Sequence, residues 1–139
     1  MGIIPALKWL TNRTNKERNI HVHLTIGGIK SELNPELELN VFRIVQEALH
    51  NIEKHSRTTG AFIKIDSGNG SFQLTIQDNG QGFIIPDKLG NLVVGGTLAL
   101  VGIQERAKSL GGTFEIHSKP DEGITLSVDI PFTANKYTR

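Results

Sequence analysis

Between Ser71 and Gln77 apolar and polar side chains alternate, with Phe72, Leu74 and Ile76 set against Gln73, Thr75 and Gln77. That is the period of a half-buried strand. One step further the same parity puts Asp78 on the apolar side, where a carboxylate is costly without a hydrogen-bond donor. Gly80 and Gly82 follow at once, and glycine lets the backbone reach φ > 0 or approach a ligand closely. An inward acid at a strand end before a glycine turn suggests a pocket floor for a ligand that donates hydrogen bonds, such as an adenine amino group. The same residues also read as a plain Asp-Asn-Gly turn, since Asn-Gly is a strong hairpin signal.

At 139 residues the chain is about one domain, large enough for a real core. Its 15 basic and 14 acidic side chains are interspersed and leave a net charge of +1. A dedicated nucleic-acid binder usually carries a basic patch or stripe, so nucleic acid is not the expected partner. Cysteine is absent, which excludes a disulfide framework and a thiolate metal site. No apolar run approaches the roughly 18 residues of a membrane span, and no signal-peptide pattern opens the chain. A cytoplasmic domain making no direct membrane contact is the expectation.

The pattern along the chain is mixed α/β. Ile3 to Leu10 is a short helix candidate, with Thr11 to Asn19 ending it or continuing it as a solvated tail. His21 to Ile26 reads as a strand broken by Gly27-Gly28. The longest helical signal starts at Asn34-Pro35, where Asn can cap and Pro suits the first helical position. Val41, Val45, Leu49 and Ile52 recur there at helical spacing, widened by Phe42 and Ala48. Strands follow at Ala61 to Asp66 and Ser71 to Asp78. Ile84 to Val101 is rich in glycine and small aliphatics without a clear period. Gly102 to Leu110 reads as a short helix closed by Gly111-Gly112, before two strands, Thr113 to His117 and Ile124 to Ile130.

Glu47, Asn51 and Lys54 sit at i, i+4 and i+7 of the long helix and share one face. That face is expected nearly opposite the Val41/Val45/Ile52 stripe. A carboxylate, an amide oxygen and an ammonium together suit a hydrated divalent ion and surrounding phosphates, because Mg²⁺ takes oxygen ligands and keeps waters. A solvated face with an ordinary Glu-Lys pair is the alternative.

Three stretches in order carry a resemblance. Arg43-Ile44-Val45-Gln46-Glu47-Ala48-Leu49-His50-Asn51 with Lys54-His55 resembles the N box of sensor histidine kinases. Asp78-Asn79-Gly80-Gln81-Gly82-Phe83 resembles their first glycine box. Leu100-Val101-Gly102-Ile103-Gln104-Glu105-Arg106-Ala107, running into Leu110-Gly111-Gly112, resembles their second. The forms are similar to the nitrate-sensor and DesK-like subfamily, and the match covers roughly Asn19 to Phe132.

The resemblance implies a Bergerat-type ATP-binding fold: a two-layer α/β sandwich, with a mixed sheet, helices on one face and nucleotide held between the layers. It implies that Asn51 chelates Mg²⁺ bridging the phosphates of ATP, and that Glu47 polarises the attacking group or orders the metal's water. Lys54 and His55 match positions near the phosphates, and Asp78 would accept from the adenine amino group. Gly80 and Gly82 would give base and ribose clearance. Gly102 would open a helix whose free N–H groups favour phosphate. Ile84 to Val101 would be an ATP lid.

Such kinases phosphorylate a histidine on a separate dimerising helical hairpin, for relay to a response regulator. Of the five histidines only His50, in Leu49-His50-Asn51, has a similar setting, and it lies inside the N box and reads as a decoy. Ile3 to Leu10 resembles the end of the hairpin's second helix, with Trp9 an exposed remnant of a larger interface or packed on this domain; residues 1–18 would be the remnant of a helical linker or dimerisation hairpin, and residues 19–139 the catalytic domain of a parent that could be membrane-anchored.

Some residues depart from the pattern. Ala99 replaces the first glycine of the lid's end, after Thr97-Leu98 where an aromatic or His pair is usual. The last strand begins Gly123-Ile124 instead of Gly-Thr, and parity turns Thr125 away from the inward face of Ile124, Leu126, Val128 and Ile130. An anti-sigma-type serine kinase, a scaffold that binds nucleotide without turnover, and a gyrase- or chaperone-type ATPase with further domains are the competing readings.

Overall fold

The computed structural model describes residues 2–18, 20–28, 34–55, 60–68, 70–79, 96–118 and 123–131, with backbone alone at 18, 53–55, 96–99 and 118. The elements run α1 (Ile3–Arg18), β1 (His21–Ile26), α2 (Pro35–His55), β2 (Gly60–Gly68), β3 (Ser71–Asp78), α3 (Gly96–Ser109), β4 (Thr113–Ser118) and β5 (Ile124–Pro131).

The strands form one mixed sheet in the order β1-β2-β3-β5-β4. β1 runs parallel to β2, with α2 as the crossover, and every other pair is antiparallel. Alternation in the sequence becomes rows across the sheet. Leu24, Ile63, Ile76, Leu126 and Ile116 are registered partners in one row; Ile26, Ile65, Leu74, Val128 and Phe114 form the next. These rows face the helices and join Leu7, Val41, Val45, Ala48, Ile103 and Ala107 in a single core. The opposite face is polar apart from Phe62, which is 51% exposed and stacks on the ring of His23. This is the expected two-layer arrangement, with helices on one face.

Local chemistry fixes the helix ends. Asn34 Oδ1 accepts from the Glu36 N–H at 2.8 Å, the side-chain cap expected there. Glu38, one turn in, reaches across to accept from the Ile3 N–H at 2.8 Å, placing a carboxylate at the start of α1. At the end of α3 the Gly112 N–H donates to Ala107 O and the Gly111 N–H to Lys108 O, with Gly111 at φ 76°. This is a glycine cap that satisfies the last carbonyls.

Two expectations need correction. Of the two alternatives for residues 11–18 the helix continues, to Arg18, with Asn12, Arg13, Lys16 and Glu17 exposed, but the stretch is not solvated throughout, because Thr11 and Thr14 are buried. Their hydroxyls donate to Lys8 O and Leu10 O, so two polar residues enter the interior satisfied by their own helix. Asn15 Oδ1 accepts from the Val22 N–H at 2.6 Å and ties the helix to β1. The second correction concerns α3, which starts at Gly96 and not at Gly102. Its first turns are small and aliphatic, and an all-round apolar stretch has no period to read.

A Cβ on Gly112 would lie 2.6 Å from the Asp129 carbonyl oxygen and 2.8 Å from Ile130 Cγ1. Gly112→Ala is therefore expected to cost about 1–3 kcal/mol of stability, the scale of an overpacked site. Gly68, with nothing within 4 Å of its Cβ position, is the control, and Gly68→Ala should stay within about 0.5 kcal/mol. Urea denaturation of both variants checks the contrast.

Candidate functional site

Asp78 ends β3 on the helix-covered face, one row beyond the aliphatic rows, opposite Ala61. Its side chain is only 3% exposed, as the alternation predicts. Oδ1 accepts from the Ile124 N–H at 3.3 Å, so the first residue of β5 supplies a donor to the buried acid. Gly123 makes this possible. It sits at φ 79°, and a Cβ there would overlap the Asp78 carbonyl group. Gly123 is thus a site-shaping residue that its Lys-Pro-Asp-Glu-Gly turn pattern does not reveal.

Asn79 follows the last residue of β3, and the Asn-Gly turn reading falls on residues outside the described ones; Asn79 itself pairs with Gly60. Its N–H donates to Gly60 O and its Oδ1 accepts from the Gly60 N–H, closing the start of β2. Among the described residues no strand follows β3 before α3. Gly80 and Gly82 lie outside the described residues, as does 84–95 of the expected lid; its remainder, 96–101, is the start of α3.

On α2 the face that carries Glu47 and Asn51 is covered and not solvated: Asn51 is 3% exposed and Glu47 is half-buried, beside buried Ile44. The reason is α3, which packs on that face and widens the covered arc of α2. Arg106 Nε donates to Glu47 Oε1 at 3.0 Å, across a pair roughly one-third exposed on each side. Gly102 is inside α3, and a Cβ there would stand 3.0 Å from Glu47 Oε2. Its observed service is close approach of a carboxylate, not the head of a helix. The backbone of Lys54 and His55 closes α2, but their side chains lie outside the described residues. His50 is exposed and borders a groove between α1 and α2 with Arg13 and Glu17.

Asn51 Oδ1 is buried and has no hydrogen-bond partner among the described residues. A buried amide oxygen without a donor is costly, and it is also the hard oxygen that a magnesium ion accepts as ligand. Asn51 and Asp78 thus each present a buried acceptor, one on α2 and one at the end of β3. A carboxylate can accept from a ligand's hydrogen-bond donor, and an amide oxygen can hold a cation.

Residues 36–134 match the family described as "Histidine kinase-, DNA gyrase B-, and HSP90-like ATPase". The signal transduction histidine-protein kinase/phosphatase DegS of Brevibacillus brevis is 36% identical over 137 residues, covering 98% of this chain and 34% of that protein. The sensor histidine kinase ComP of Bacillus subtilis (strain 168) is 30% identical over 130 residues, 94% of this chain and 16% of that protein. The chain therefore spans about a third or less of these relatives. In fold it resembles the blue-light activated histidine kinase of Erythrobacter litoralis EL346, with a TM-score of 0.74 at 16% identity over 98% of this chain and 47% of that one. With the family match spanning both the helix that carries Asn51 and the strand that ends in Asp78, the chain belongs to the histidine kinase-, DNA gyrase B- and HSP90-like ATPases, as an ATPase domain of the sensor histidine kinase type.

Proposed function

We propose that this chain binds Mg-ATP and passes the γ-phosphate to a histidine on the dimerisation hairpin of a two-component sensor kinase, in the nitrate-sensor and DesK-like manner, for relay to a response regulator. The observation that carries this reading is the pair of buried acceptors, the Asn51 amide oxygen on α2 and the Asp78 carboxylate at the end of β3. Residues 1–18 would be the end of that hairpin and 19–139 the catalytic domain, working in the cytoplasm whether or not the parent is anchored in a membrane.

Asp78 would accept from the adenine amino group while the Ile124 N–H holds its other oxygen. Gly80 and Gly82 would give the base and ribose backbone clearance. A magnesium ion, when bound, would neutralise charge on the phosphates, and Asn51 would hold it through Oδ1. Lys54 and His55 would lie toward the phosphates. Gly102 would serve the same site by letting α3 lie against Glu47. Glu47 would polarise the attacking imidazole, and positioning of that imidazole supplies much of the rate in phosphoryl transfer. Ile124 supports a second reading: its apolar side chain is buried beside Asp78, which would suit a scaffold that binds nucleotide without turnover.

Asp78→Asn presents an amide where an acceptor-only group is needed, and ATP affinity should fall by about 1–3 kcal/mol. GTP should bind poorly to the unmutated chain, because its base offers a carbonyl at that place. Calorimetry with both nucleotides checks this, and equal affinities would remove the adenine role.

Asn51→Ala should weaken ATP in the presence of Mg²⁺ more than it weakens adenosine. A parallel loss of adenosine binding would make Asn51 a packing residue.

Incubated alone with γ-labelled ATP, the chain should not label itself, since His50 sits on the outward side of α2. A hairpin fragment from its parent, carrying a histidine in a Leu-His-Asp setting, should take up acid-labile phosphate. Robust label on His50 would overturn the decoy reading, acid-stable label on a partner's serine would favour the anti-sigma alternative, and tight ATP binding without transfer would favour the scaffold.

A further inference from the structure

We infer that Arg106 is a positioning residue for phosphoryl transfer, acting through Glu47; this rests on the kinase reading above. Arg106 and Gly102 are four residues apart on α3 and so share a face, as do Glu47 and Asn51 on α2. Where those faces meet, both oxygens of one carboxylate are constrained. Oε1 accepts from Arg106 Nε at 3.0 Å. Oε2 lies against the bare backbone of Gly102, where even a methyl group would come within 3.0 Å.

A glutamate has three side-chain torsions, and at a half-exposed position nothing in its own helix selects one arrangement. The cation fixes the carboxylate from one side and the glycine surface limits it from the other. Glu47 is thereby held on the flank of α2 that also carries Asn51, one turn away. Partial burial matters to this: a fully exposed pair would be screened and loosely held, whereas the two side chains here keep only 33% and 29% of their surface open. Among the described residues the side-chain bond of Arg106 goes to Glu47 and not to Asp78, so its effect is on the aim of Glu47 and not on nucleotide binding.

The test uses the full chain with the histidine-bearing fragment of its parent. Arg106→Met keeps much of the stem and removes the cation. Transfer at saturating ATP should fall about 10- to 100-fold, the scale of a misaimed group, while the KM for ATP changes by less than about threefold. The contact is a single Nε bond, so charge matters more than a fork, and Arg106→Lys should recover most of the rate. The double variant Glu47→Ala/Arg106→Met should be no slower than Glu47→Ala alone, because two residues acting as a unit are non-additive. In the ¹⁵N-labelled chain the Arg106 Nε–H should give a slowly exchanging resonance that is lost in Glu47→Gln. Additive losses, or a fall in ATP affinity equal to the fall in transfer, would overturn the role and leave Arg106 as a packing residue. Failure of the unmutated chain to transfer would overturn the kinase reading instead, and a persistent Nε–H resonance in that case would assign the contact to stability alone.

Discussion

A carboxylate set among aliphatic side chains has to be answered by donors from the fold itself, and at Asp78 that requirement organises the end of the sheet. The strand that answers it, β5, starts 46 residues later in the chain, and its first N–H points at Oδ1. Gly123 gives the backbone the φ and the clearance to arrive there. The rows of Ile63, Ile76 and Leu126 then follow from the same register, so hydrophobic packing and the position of the acid are set together. A one-residue slip of β5 would turn Ile124, Leu126 and Val128 outward and withdraw the donor in the same step.

The helical layer answers a different constraint. α2 could meet the sheet with Val41, Val45 and Ile52 alone, but it also needs α3 on its flank to cover Ile44 and Asn51. Gly102 on α3 permits that approach, and the Glu47–Arg106 pair spans the partly open rim. The outcome is an amide oxygen, that of Asn51, held in the interior with no donor from the described chain. A fold under selection for stability alone would be expected to replace such a group, which is why it points to function.

Much of this was legible in the residues. Strand alternation located β3, β5 and the inward parity of Asp78; Asn34-Pro35 marked the start of α2; Gly111-Gly112 marked the end of α3. Parity also separated buried Ile124 from half-buried Thr125. What was not legible depended on partners distant in sequence. The burial of Asn51 was not legible because nothing in residues 35–55 announces α3. The Glu47–Arg106 bond joins positions 59 apart, which no local period encodes. Thr11 and Thr14 look like solvated residues until the hydroxyls are seen to bond within their own helix.

The bond between the Ile3 N–H and Glu38 joins the first turns of two helices that begin far apart in the chain. Ile3, Leu7 and Leu10 then share the interior with Leu37 and Val41. The two helices are coupled as a lever and its fulcrum are. α1, about 24 Å long at 1.5 Å per residue, is joined by this bond and this packing to the start of the helix that carries Glu47 and Asn51 further along. Trp9, exposed on the outer surface of α1 with the Arg13 guanidinium over its ring, thus stands on a helix whose other side is seated in the packing of the domain.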